Sequence, residues 1–269
     1  MTTAKTPQSK FAEVQGIRMH YWEWGRTGTP DLLLVHGWTG FGQTWSGVAE
    51  HFQDRYHVIA PDLRGHRASD KPHTGYRLRD FCEDIHQLIH AIGLRKPAYV
   101  GHSWGGNIGT YMASEYADDL SRAFLEDPVY WRMLHAFVTA LPQSLARHNR
   151  PEAEIRTDAQ KRGLSKAAED MEVYRAHHFS PLAITHLLRD NRDWTYACEE
   201  HLRRITVPTL VLVADIKAGG GILPEEWAYY RRIASPQLQF RFWEGVGHAM
   251  RSTKPEQYNQ ELGEWLKGP

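Results

Sequence analysis

The sequence predicts an α/β fold: a mostly parallel sheet with helices on both faces and one inserted helical segment. Three observations predict it. Short apolar runs of strand length alternate with longer runs of helical periodicity along most of the 269 residues. The strand-like runs end abruptly in Gly, Pro, Asp or Ser clusters, where a parallel sheet places its reacting groups. Between Val129 and His201 the alternation lapses, and charged and aromatic residues mix among helix-forming ones.

Taken in order, Ile17–Trp24 alternates apolar and polar residues and reads as a half-exposed strand. Leu32–Val35 is a buried strand ending at His36-Gly37, and Val58–Ala60 another ending at Pro61-Asp62. Phe81, Ile85, Leu88, Ile89 and Ile92 are spaced for a helix over Arg77–Gly93, stopped by its glycine. Pro97–Gly101 is a strand running into Gly101-His102-Ser103-Trp104-Gly105, with a helix expected from about Asn107 to Ala117. Ala123–Leu125 is the next strand, ending at Glu126-Asp127-Pro128. After the irregular segment come a strand at Thr209–Ala214, a helix at Pro224–Ala234, a strand at Leu238–Trp243 and a final helix at Pro255–Leu266. The expected organisation is therefore a core of residues 1–128 and 202–269 with a helical cap at 129–201.

Composition removes several functional classes. Apolar residues at 41% suffice for a core, and 32 Lys+Arg balance 32 Asp+Glu, which leaves no basic excess for nucleic acid or an anionic membrane. No apolar run approaches the roughly 18 residues of a spanning helix. Met1–Lys10 is polar and has no apolar h-region, so no secretory signal is expected. The two cysteines, Cys82 and Cys198, fit no metal spacing and suit a reducing, cytoplasmic compartment as free thiols. His177-His178 has no carboxylate or Cys at ligand spacing, so no metal and no cofactor are expected.

The chemistry is concentrated at strand ends. Gly101-His102-Ser103-Trp104-Gly105 is G-x-S-x-G between a strand and a helix. A serine on such a turn is thrust away from the sheet, its neighbours must lack Cβ, and the following helix presents its positive end. This makes Ser103 the candidate nucleophile. His248, on the loop after Leu238–Trp243, is the candidate base by its position among sixteen histidines.

With His36-Gly37-Trp38, Pro61–His66, Gly101–Gly105 and Gly247-His248 in this order, the chain resembles the α/β-hydrolase superfamily along nearly its full length. The resemblance implies the α/β-hydrolase fold, a Ser/His/acid triad, a cap, and an oxyanion hole from the backbone N–H groups of Trp38 and Trp104. One departure is Arg67, where the family often has Gly in its G-H-G-x-S loop. The acid has two candidate sites. Asp215 follows the Thr209–Ala214 strand, two residues short of the commoner position. Asp127 lies 24 residues beyond Ser103, as in haloalkane dehalogenases and zearalenone lactonases, and is preferred. Glu126 ranks third because a continuing strand turns it to the opposite face.

A serine nucleophile implies an acyl-enzyme and a carbonyl substrate. Epoxide hydrolases and haloalkane dehalogenases carry Asp at the elbow, so Ser103 argues against both. The abundant aromatic residues favour a hydrophobic small-molecule ester or lactone. Trp131, Trp194 and His102 are pocket candidates, with Tyr174, His177 and His178 as further cap candidates. The rival readings are carbon–carbon bond hydrolysis of the meta-cleavage type, a cofactor-free dioxygenase and a hormone-type receptor. A monomer or homodimer is expected.

Overall fold

The computed structural model describes residues 6–130, 142–178 and 180–268. Eight strands form one sheet: β1 (Gln8–Val14), β2 (Ile17–Trp24), β3 (Asp31–Val35), β4 (His57–Pro61), β5 (Ala98–His102), β6 (Arg122–Glu126), β7 (Thr209–Ala214) and β8 (Leu238–Trp243). Their spatial order is β1-β2-β4-β3-β5-β6-β7-β8. The β1–β2 and β2–β4 pairs are antiparallel; all others are parallel.

Alternation within the central strands sorts side chains between two cores. Leu33 and Val35 of β3 join one core, and Leu32 and Leu34 the other. The same period divides Val211 and Val213 from Leu210 and Leu212 on β7. Helices α2 (Leu78–Ala91) and α3 (Trp104–Glu115) cover the first face through Ile85 and Ile108. Helix α1 (Ser46–Phe52) and the C-terminal helix (Pro255–Lys267) cover the second through Phe52, Tyr258 and Leu262. Burial of each such large apolar side chain contributes about 1.5–3 kcal/mol. This two-faced burial makes the strands read as continuous apolar runs.

Strand β1 goes beyond the sequence expectation. It is an edge strand, largely exposed, whose polar residues give no apolar run. A two-residue turn joins it to β2, with Gln15 and Gly16 both in the left-handed region that such hairpins require. Among the described residues between β6 and β7 lie a helical stretch at 142–148 and four helices: α4 (Glu152–Lys161), α5 (Lys166–His177), α6 (Pro181–Asp190) and α7 (Trp194–Arg204). Trp194, Cys198 and Leu202 of α7 are buried in the first core. Asn191 stitches this insertion to α2: its Oδ1 accepts from Leu78 N–H (2.6 Å) and its Nδ2 donates to the Tyr76 carbonyl (2.7 Å). Cys82 and Cys198 are buried free thiols. Among the described residues no helix is long and apolar enough to cross a membrane.

Candidate active site

Ser103 stands at the junction of β5 and α3 with φ 54° and ψ −114°. For a residue with a Cβ this backbone costs of order 1–3 kcal/mol, a strain the surrounding packing must impose. That packing is visible at Gly105, where an added Cβ would run into the Val35 carbonyl. The Ser103 N–H donates to the Glu126 carbonyl (2.9 Å), fixing the turn against β6. Helix α3 begins at Trp104, three residues before the sequence-based start, because the elbow passes from strand to helix without an intervening loop.

β6 supplies two adjacent carboxylates with opposite destinations. Glu126, fully buried, accepts from Arg251 N–H (3.0 Å) and Nη1 (2.8 Å). Asp127 follows in the left-handed region, φ 44°, and is also fully buried. Its Oδ2 accepts from His248 Nδ1 (2.6 Å) and from Gly221 N–H (2.7 Å), and its Oδ1 from Ala214 N–H (3.2 Å). A Cβ on Gly221 would come 3.2 Å from that Oδ2, so glycine permits the approach. With Nδ1 donating to a carboxylate, His248 keeps its Nε2 lone pair for a proton.

Asp215 lies elsewhere. It is partly exposed, closes the turn after β7, and accepts from the N–H groups of Lys217 (2.9 Å) and Gly245 (2.9 Å). Those two donors hold its carboxyl below the usual carboxylate range.

His102 links the elbow to the His248 loop, and the loop after β3 packs on the elbow. His102 Nε2 donates to the His248 carbonyl (3.0 Å), and the two rings are 4.7 Å apart. Gly37 covers the elbow so closely that a Cβ there would lie 2.9 Å from Ser103 Cβ. Trp38 follows Gly37, and its carbonyl accepts from His66 Nε2 (2.5 Å), which braces the loop. Trp104 opens α3, so its N–H has no acceptor within the helix.

The expected pocket residues divide. The Trp104 indole is core, edge-on to Phe81 at 5.5 Å. His102 is half-buried and bonded to the His248 carbonyl. Trp194 is buried and lines a groove of about 620 Å³ whose walls include none of Ser103, Asp127 and His248. Trp131 lies outside the described residues. The side chains of His177 and His178 part, the first reaching the Arg150 carbonyl (3.0 Å) and the second the Gly40 carbonyl (3.2 Å).

Arg67 was absent from the sequence-based site. It takes the left-handed conformation, φ 42°, that explains a glycine preference at this position. Its guanidinium sits among the rings of Tyr174 (4.8 Å), Phe41 (5.1 Å) and Trp22 (5.5 Å) and donates to Gln43 Oε1. Its N–H donates to the His178 carbonyl (2.7 Å), so one residue joins the insertion to the core beside the Trp38 loop.

A parallel-sheet scaffold with a serine elbow at the end of β5 defines the α/β-hydrolase class of architecture. The family model described as alpha/beta hydrolase fold matches residues 30–216, and the chain belongs to that family. The soluble epoxide hydrolase of Corynebacterium sp. (strain C12) is 38% identical over 118 residues, 44% of this chain and 41% of that protein. Epoxide hydrolase 4 of Homo sapiens is 23% identical over 94% of this chain and 76% of that one. Among solved structures, E-2-(acetamidomethylene)succinate hydrolase matches with a TM-score of 0.82 at 21% identity, covering 98% of this chain and all of that one. The Bacillus megaterium epoxide hydrolase matches with a TM-score of 0.75, also at 21% identity, over 96% of this chain and all of that one.

Proposed function

We propose that the protein is a serine hydrolase that cleaves a carboxylic ester or lactone of a hydrophobic small molecule through an acyl-enzyme. The observation that carries this reading is the held imidazole: His248 has its Nδ1 on the buried Asp127 and its backbone carbonyl on the residue preceding Ser103. In the reaction, His248 Nε2 takes the Ser103 proton as Oγ attacks the carbonyl carbon. The resulting oxyanion is met by the N–H groups of Trp38 and Trp104. Collapse expels the alcohol, which leaves with the proton returned by His248, and a water activated by the same base releases the acid. Asp127 stabilises the imidazolium and fixes its tautomer throughout.

The relatives named epoxide hydrolase make the identity of residue 103 decisive. Attack of a carboxylate on an epoxide leaves an ester, which water can cleave. Attack of a serine oxygen would leave an alkyl ether, which an imidazole base cannot hydrolyse. Ser103 therefore supports acyl chemistry and argues against epoxide turnover. The helical insertion between β6 and β7 serves in this reading as a cap over the elbow.

The test is a panel of p-nitrophenyl esters, lactones and styrene oxide given to wild type and Ser103→Ala. Expected are ester or lactone hydrolysis lost in the variant, one fluorophosphonate adduct on Ser103, and no diol from the epoxide. Diol formation by wild type, or acyl turnover surviving in Ser103→Ala, overturns the reading.

A further inference from the structure

Three potential metal ligands meet at the end of α3 remote from the elbow. His86 and His90 stand four residues apart on α2 and so share one face. Asp119, in the short turn between α3 and β6, reaches both. Its Oδ2 is 2.5 Å from His86 Nδ1 and its Oδ1 3.0 Å from His90 Nε2. The three donor atoms all lie within 4.8 Å of one another. The surroundings hold them in place. Tyr116 stacks on the His86 ring at 4.5 Å and donates its hydroxyl to Glu83 Oε2 (2.7 Å), and the Asp119 N–H donates to the Tyr116 carbonyl (3.0 Å).

We propose that His86, His90 and Asp119 bind a zinc ion. Two imidazoles and one carboxylate are a donor set that Zn²⁺ accepts, with water completing a tetrahedron, whereas Mg²⁺ and Ca²⁺ take oxygen ligands. Zinc–ligand bonds of about 2.0–2.2 Å at tetrahedral angles separate donor atoms by roughly 3.3–3.5 Å. From separations between 2.5 and 4.8 Å the donor atoms reach this spacing by moving apart or together by up to about 1.5 Å, which rotations of exposed His90 and partly exposed His86 supply. Ser103 caps one end of α3 and Asp119 lies past the other, so about 18 Å of helix separates the site from the elbow. The ion clips α2 to the α3–β6 turn and acts on stability, not on the chemistry at Ser103.

The metal-stripped full chain is titrated with zinc chloride by calorimetry, alongside His90→Ala and Asp119→Asn, with melting followed in parallel. His90 is exposed, and the metal-free melting temperatures of the variants verify that they fold. Expected are one tight equivalent of Zn²⁺ in wild type, binding weakened at least about tenfold in each variant, and a zinc-dependent rise in Tm that His90→Ala loses. Magnesium chloride should give neither heat nor shift. No zinc binding by wild type, or binding undiminished in both variants, overturns the site. Ester hydrolysis is expected to be equal in wild type and His90→Ala, so this result is independent of the reading of Ser103.

Discussion

Glu126 and Arg251 form a buried ion pair three residues from His248, and Glu126 is the chain neighbour of Asp127. Two successive carboxylates thus grip both ends of the His248–Arg251 segment, one holding the imidazole and the other anchoring the backbone beyond it. The Arg251 guanidinium also lies 4.1 Å from the centre of the Trp45 ring, which fixes it to the second core.

Removing one partner of this pair leaves the other charged and buried. Glu126→Ala should destabilise the protein by about 3–5 kcal/mol and reduce turnover, because the segment carrying His248 loses its anchor. Pairing it with Arg251→Met should restore much of the stability. Urea denaturation of the two variants checks this, and a double variant no more stable than Glu126→Ala would refute it.

Asp127 and Asp215 should separate cleanly in kinetics. Asp127→Asn keeps the volume but loses the charge on His248 Nδ1 and should lower kcat by about 10⁴-fold. Asp215→Ala removes an acceptor from Lys217 and Gly245 and should cost about 1 kcal/mol of stability, with turnover nearly unchanged. Steady-state kinetics on one ester decide between them. A larger kcat loss in Asp215→Ala would reverse the assignment.

Arg67→Gly relieves a left-handed residue, worth about 1–2 kcal/mol, and deletes a ring-lined cation worth a similar amount. Global stability should therefore change little. The insertion keeps the backbone bond to His178 but loses the guanidinium packed on the Tyr174 ring, so thermolysin should cleave within residues 142–178 faster than in wild type. Equal cleavage rates would show that the cage does not hold the insertion.

The pH dependence of stability follows from His36. Its Nε2 accepts from Leu63 N–H (3.0 Å) and its Nδ1 donates to the Gly37 carbonyl (2.6 Å). Burial holds this imidazole well below its ordinary range. The folded state thus stays neutral at His36 where the unfolded chain takes up a proton, below about pH 6.5. Stability should fall on acidification through that window, by up to about 1.4 kcal/mol per pH unit for this one group. Burial lowers His66 and His102 as well, with the same sign. Denaturation midpoints at several pH values should show a shallower slope in His36→Gln, and equal slopes would refute the assignment.

Much of this architecture was legible because burial on both faces of a parallel sheet writes itself into sequence as apolar runs. The turns after those runs carry the elbow, the loop at His36 and the histidine at 248. Strand β1 and helix α1 were not legible. Gln8–Val14 is largely exposed, and Ser46–Phe52 is too short for its spacing to stand out. His86 and His90 show a helical i,i+4 spacing in the sequence, but their third partner comes from beyond α3.

The sequence alone determined seven of the eight described strands and the serine at the elbow, since both depend on local residue types and their period. It preferred Asp127 to Asp215 only through the 24-residue spacing that the resemblance implies, because the two follow neighbouring parallel strands paired at Glu126 and Leu212. Tertiary structure decided which carboxylate meets His248. The left-handed turn at Asp127 sends its side chain toward the histidine, and the glycine-rich loop after Asp215 delivers the Gly221 N–H to that same carboxylate. A hydrogen bond between residues 121 positions apart depends on strand register and loop path, which no local pattern encodes.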